Sequence, residues 1–213
     1  MKILIACEYS GVVRDAFLAA GHDAISCDIL PTESPGPHHC GPVEDMLSDP
    51  WDMIIAHPPC TYLCCSGVRW LHTDPGRWAK LRLAAEFFRL FLDHSCPRIC
   101  IENPVMHKYA RELIGGQRFT QSIQPWEFGH PESKRTCLWL KGLPLLCKTK
   151  ILPLPASGHW ENQCPTIGKN GGRMPLESPG SRGKRRSKTY PGIAQAMADQ
   201  WKESIFMQKE FIE

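Results

Sequence analysis

Short apolar runs alternate with segments of helical period along most of this chain, and that alternation restricts the fold more than any other feature. Ile3 to Cys7, His22 to Asp28, Asp52 to Ala56 and Arg98 to Glu102 read as buried strands. Between them, Ser10 or Gly11 opens a helical stretch to Ala19 that stops at Gly21, and Pro75 to His94 carries Leu81, Ala84, Ala85, Phe88 and Leu92 at helical spacing. Two further strands are predicted at Arg118 to Gln124 and Arg135 to Lys141, and a last helix from Ile193 to Ser204. Leu30 to His39, with Pro31, Pro35, Pro37 and Gly36, reads as loop. A parallel pair of strands needs a long crossover, usually a helix, so the pattern predicts an α/β fold with a doubly wound, largely parallel sheet.

A chain of 213 residues can bury one good core, so one domain with a small appendage is expected. No apolar run approaches the roughly 20 residues of a membrane span, and Met1-Lys2-Ile3-Leu4-Ile5-Ala6 lacks the apolar core of a signal peptide. The 11 cysteines are therefore expected to be reduced thiols of a cytoplasmic protein, with no membrane and no obligate protein partner. No Cys-x-x-Cys occurs, and Cys147, His159 and Cys164 lack a clear fourth ligand, so no metal site is expected. The net charge of +3 conceals an asymmetry. Lys169, Arg173, Arg182, Lys184, Arg185, Arg186 and Lys188 crowd a Gly/Pro-rich stretch that holds only Glu177 as an acid, a composition suited to a polyanion or to a solvated loop.

Three chemical groups fall at predicted strand ends, where open α/β sheets bind ligands. The turn Cys7-Glu8-Tyr9-Ser10-Gly11 brings a helix start toward that edge, and Asp28 ends the second strand, where an acid can hold ribose hydroxyls. Asp52-Met53-Ile54-Ile55-Ala56-His57 runs into Pro58-Pro59, which stiffens the chain exit and presents the thiol of Cys60. Glu102 follows Arg98-Ile99-Cys100-Ile101, and its apolar surroundings predict a raised pKa and a carboxyl that serves as an acid.

With these residues the chain resembles the cytosine-C5 DNA methyltransferase family. Tyr9-Ser10-Gly11 is similar to its Phe-x-Gly cofactor turn, His57-Pro58-Pro59-Cys60 to its Gly-Pro-Pro-Cys nucleophile, and Glu102-Asn103-Pro104 to Glu-Asn-Val. Phe128-Gly129-His130-Pro131-Glu132-Ser133-Lys134-Arg135-Thr136 resembles Tyr-Gly-x-Pro-Gln-x-Arg-x-Arg, and Tyr190 to Met197 the closing helix of the cofactor pocket. The resemblance implies a Rossmann-like sheet of the S-adenosylmethionine-dependent methyltransferase type and methylation of carbon 5 of cytosine in double-stranded DNA. It assigns Cys60, Glu102, Lys134 and Arg135 to catalysis, and Tyr9, Ser10, Gly11, Asp28 and Pro58 to S-adenosylmethionine. It divides the chain into a core over 1–142, a basic target-recognition insert over 143–186 and a segment over 187–213 that completes the core.

Carbon 5 of cytosine is too weak a nucleophile to attack a methyl sulfonium, so a thiolate adds first to carbon 6, which is the part given to Cys60. Charge then builds at N3, where a carboxyl supplies a proton or strong hydrogen bond, the part given to Glu102. A base inside a duplex must be flipped out, and Thr61 to Gly76, with Arg69 and Trp70 at its middle and Gly67 and Gly76 as hinges, reads as a loop able to close over it. Lys184, Arg185 and Arg186 are assigned to the DNA backbone.

The chain also departs from the pattern. Gly41-Pro42 replaces Gly-Asp, so an adenine-contacting acid is missing unless Glu44 or Asp45 substitutes. Thr136 stands where a second arginine belongs, and the recognition region is short. Two alternatives follow: the same chemistry on free cytidine nucleotides, and a catalytically degenerate DNA-binding protein. An amino-group methyltransferase places an aromatic residue after Pro-Pro, which Cys60 disfavours.

Overall fold

The computed structural model describes residues 1–153 and 187–202. Seven strands form one sheet in the order β3-β2-β1-β4-β5-β7-β6. They are β1 (Lys2–Ala6), β2 (Asp23–Asp28), β3 (His38–Cys40), β4 (Met53–Ala56), β5 (Ile99–Asn103), β6 (Gln121–Ile123) and β7 (Thr136–Lys141). β1 pairs in parallel with β2 and β4, β2 with β3, and β4 with β5, while β7 runs antiparallel to both β5 and β6. The doubly wound, largely parallel, Rossmann-like sheet implied by the sequence is the observed one.

The central strands are apolar on both faces because helices cover both. Leu4, Ala6, Ile54, Ala56, Ile99 and Ile101 pack with Leu81, Ala85, Phe88 and Phe91 of α3 (Arg77–Leu92). Ile3, Ile5, Met53, Ile55 and Cys100 face the other way, onto Val13 and Phe17 of α1 (Val12–Ala19) and Ile193, Ala194, Met197 and Trp201 of α5 (Pro191–Trp201). Residues 187–202 therefore complete the layer that α1 begins.

Some local expectations need correction. Leu30 to His39 is not all loop: His38–Cys40 adds β3 at the sheet edge, paired with Ser26–Asp28. Thr61 to Gly76 contains a 3₁₀ helix, Cys65–His72, and is tied down by Arg77, whose guanidinium donates to the Thr61 carbonyl at 3.2 Å. Two short helices, α2 (Glu44–Leu47) and α4 (Lys108–Leu113), were not visible in the periodicity. The first is a single turn and the second less than two, too short to display a repeat.

No helix among the described residues is long and apolar enough to cross a membrane.

Candidate active site

The chain reverses direction in the doubly wound order between β1 and β4, so the carboxyl ends of β1, β4 and β5 open onto one edge. The register pairs Ala56 with Ile101. The next residues, His57 and Glu102, consequently lie side by side, and His57 Nδ1 is 3.1 Å from Glu102 Oε2. Thr189, from the segment before α5, donates its hydroxyl to the same oxygen at 3.2 Å. Oε1 of Glu102 has no hydrogen-bond partner among the described residues. The pair is nearly enclosed, with side-chain exposures of 10% for His57 and 12% for Glu102.

This setting reverses the expected ionisation of Glu102. Burial is the largest influence and pushes the carboxyl up, but the His57 hydrogen bond and charge, Lys134 and Thr189 outweigh it and hold the group at about 2. His57 is correspondingly raised: burial pushes it down, while the Glu102 hydrogen bond and charge, with Glu8, push it up more. Each member of the pair thus favours the charged form of the other. His57 Nε2 is buried without a hydrogen-bond partner.

Cys60 follows from β4 through Pro58 and Pro59. The Asn103 side chain, at the end of β5, donates to the Pro58 carbonyl at 2.8 Å and fixes this exit. Beyond it the chain makes a helical turn, with the amides of Leu63 and Cys64 both donating to the Cys60 carbonyl at 3.0 Å. That turn sets the Cys64 thiol beside Cys60. The hydrogen bond to Cys64, followed by burial, raises the Cys60 thiol above its ordinary value. Cys64 is lowered to about 5, first by the Cys60 hydrogen bond, with burial opposing and Ser66, 3.0 Å away, contributing. The two neighbouring thiols thus shift each other in opposite directions, Cys60 up and Cys64 down.

Lys134 and Arg135 part company because they precede β7 in alternating register. Lys134 lies on the Glu102 side, where its charge acts on Glu102 and His57 and its ammonium reaches the Lys188 carbonyl at 3.5 Å. Arg135 points to the opposite face, exposed, 5.8 Å above the Phe119 ring. This places it away from the catalytic groups with which the resemblance assigned it. Arg69 is exposed and stacks at 4.6 Å on Trp70. Lys184, Arg185 and Arg186 lie outside the described residues, as do His159 and Cys164.

The first turn is more internally committed than its sequence suggested. Glu8 caps α1, accepting from the amides of Val13 at 2.7 Å and Arg14 at 3.2 Å and from the Ser10 hydroxyl at 3.1 Å. The helix start is therefore occupied by the protein's own carboxylate rather than open to a ligand. Gly11 takes φ +77°, and a Cβ there would meet the Arg14 guanidinium at 2.5 Å. Tyr9 is buried, with its hydroxyl 3.2 Å from Ser187 Oγ. Asp28 accepts from the Leu30 amide at 2.9 Å, and Ile29 beside it is 77% exposed.

A nucleoside cofactor fits this edge in chemistry: an acid at the end of β2, an exposed apolar side chain next to it for a base, and the Tyr9–Gly11 turn. It does not fit the cavity of about 40 Å³ between that turn, His57 and Ser187–Thr189, so its bulk belongs on the open Asp28–Ile29 side. Glu44 and Asp45, candidates for the missing acid, are exposed on α2, and Asp45 is engaged with His39 at 3.2 Å.

No family model and no curated protein matches the chain. Among solved structures, it is similar to a prophage-encoded E. coli protein provisionally described as a DNA modification methyltransferase. Identity is 16% and the TM-score 0.46, over 71% of this chain and 51% of that one. The chain spans about half the length of that structure.

His57, Cys64, Thr189 and Ile29 are the site residues that sequence reasoning missed. His57 carried a signal, since it occupies the position of a glycine in the resembled motif.

Proposed function

We propose that this protein is an S-adenosylmethionine-dependent methyltransferase that acts on carbon 5 of cytosine in DNA through a covalent adduct of Cys60. The observation that carries this reading is the union of a proline-stiffened thiol and a carboxylate at adjacent strand ends, joined by the Asn103–Pro58 hydrogen bond. Binding alone requires neither group in that place.

Asp28, Ile29 and the Tyr9–Gly11 turn would hold the cofactor, which supplies an electrophilic methyl group when bound. Cys60 gives its proton to solvent and attacks carbon 6 of the flipped base as the thiolate, with Cys64 beside it. Glu102 faces the ring with its unengaged oxygen and orients the base through the exocyclic amino group. Lys134 offsets negative charge near the pair.

Nucleoside mass analysis of DNA incubated with the protein and S-adenosylmethionine tests this reading directly. It expects 5-methylcytosine, and N4-methylcytosine or N6-methyladenine in its place refutes it. DNA carrying 5-fluorocytosine is expected to trap an adduct on Cys60. A peptide map that puts the adduct on Cys64 or Cys65 reassigns the nucleophile.

A further inference from the structure

A carboxyl held at about 2 is a poor proton donor at neutral pH, yet addition of a thiolate to carbon 6 drives electrons toward N3 and calls for a proton there. The structure contains a source beside it. His57 and Glu102 are cross-strand neighbours at 3.1 Å, and both protein donors to the carboxylate, His57 and Thr189, converge on Oε2 and leave Oε1 unengaged among the described residues. His57 Nε2 has no partner, so nothing fixes the imidazole in one protonation state from its far side. The charged groups acting on His57 come from three neighbouring elements: Glu102 from β5, Glu8 from the turn after β1, and Lys134 from the approach to β7. Two cations and two carboxylates make a balanced cluster, in which moving one proton within the pair changes no net charge.

We propose that His57 and Glu102 act as a single acid, with His57 the positioning residue that stores the proton Glu102 delivers to the reacting heterocycle. This rests on the reading of Cys60 as the nucleophile toward a pyrimidine. As the S–C6 bond forms and the C5–C6 π pair moves toward N3, a proton leaves His57 Nδ1 for Glu102 Oε2, and the carboxyl, turning about its Cγ–Cδ bond, gives that proton to N3. The imidazole is left neutral. After the methyl group has passed to C5, a water molecule takes the C5 proton, the C5–C6 double bond re-forms and the thiolate is expelled; N3 returns its proton to the carboxyl and His57 recovers its charge. The pair ends as it began, and no outside acid is consumed.

The proposal separates hydrogen bonding from proton supply, and His57→Asn tests that separation because asparagine keeps a donor near Glu102 but cannot release a proton. Single-turnover methylation is measured across pH for the wild type and the variant. The wild type is expected to lose rate as pH rises through the His57 value; the variant is expected to be slower by roughly 10²–10⁴-fold and to lack that alkaline limb, with little change in cofactor KM. An unchanged limb, or a rate within twofold of wild type, overturns the proposal. Histidine NMR supplies a second readout independent of turnover: the His57 imidazole should titrate above 6.5 in the wild type and fall in Glu102→Gln, and an unmoved titration likewise overturns it. The 5-fluorocytosine adduct distinguishes the two levels. A wild-type protein that forms no adduct at Cys60 overturns the nucleophile reading and the pair with it, whereas an adduct alongside a retained alkaline limb in His57→Asn overturns the pair alone.

Discussion

The side-chain amide of Asn103 donates to the carbonyl of Pro58 at 2.8 Å and couples the end of β5 to the rigid exit of β4. Asn103 is 1% exposed and its Oδ1 has no partner, so the contact is a buried one that already carries a small desolvation cost. Asn103→Leu should keep the volume and remove the bond. The expected result is a loss of roughly 1–3 kcal/mol in stability from the stranded carbonyl, together with slower adduct formation at Cys60. Denaturant unfolding and the rate of 5-fluorocytosine trapping check the two parts. Trapping at the wild-type rate would mean that Pro58 and Pro59 hold Cys60 without help.

Arg14 sits inside α1 with no exposed surface and directs its guanidinium at β2 and the loop that joins it to β3. It donates to Ser26 Oγ at 3.1 Å, Thr32 Oγ1 at 3.2 Å and the Ser34 carbonyl at 2.9 Å. That loop carries Asp28 and Ile29 at its start, so Arg14 supports the proposed cofactor edge from beneath. Arg14→Met should cost about 1.5–3 kcal/mol, the range for hydrogen bonds to a charged group, and raise the cofactor KM more than it lowers kcat. A stability loss with unchanged KM confines Arg14 to the fold.

The parts of this arrangement that could be read in the sequence are those fixed by local pattern. Residues 3–6 of β1, 53–56 of β4 and 99–101 of β5 are buried on both faces and therefore apolar without interruption, and the Pro58–Pro59 exit needs no partner to be recognised. β3 escaped notice because His38, His39 and Cys40 show no apolar alternation and are a strand only through backbone pairing to β2. The burial of Arg14 has no local sequence signal, because most of its acceptors come from a loop that folds back on it. The His57–Glu102 contact depends on the register of two strands 45 residues apart, and Thr189 reaches Glu102 across 87 residues. Glu102 was misjudged for the same reason: its neighbours in sequence are apolar, while the neighbours that set its charge come from elsewhere.

The ion pair also predicts how stability varies with pH. Glu102 lies at about 2 against an ordinary 4.5, so its contribution is present above pH 4.5 and lost as pH falls toward 2. His57 is raised above 6.5, so its contribution is fully present below 6.5 and lost as pH rises through the folded value. The stability difference between the wild type and His57→Asn should therefore be greatest between pH 4.5 and 6.5, at about 3–5 kcal/mol for a buried pair that loses one member, and should shrink on both sides. Denaturant melts at pH 3, 5.5 and 8.5 check this, and a difference that ignores pH removes the ion pair.

The basic stretch from Lys169 to Lys188 lies almost wholly outside the described residues, and its use is argued from composition. Gly171, Gly172, Pro175, Pro179, Gly180 and Gly183 are interleaved with the cations, a mixture unsuited to a rigid helix that reads base edges. Binding to phosphates is the use that remains, and phosphate contacts contribute affinity without sequence preference. Replacing Lys184, Arg185 and Arg186 together with glutamine should weaken DNA binding about equally for all sequences. It should also flatten the salt dependence by roughly 0.9 in slope for each phosphate that is no longer neutralised. An enzyme of free cytidine nucleotides predicts otherwise, because a mononucleotide offers few phosphates and would sit at the sheet edge beside Cys60. Unchanged DNA affinity in the triple variant, with methylation of free dCMP, would favour that substrate over DNA. A loss of affinity confined to one sequence would instead make the stretch a reader of bases.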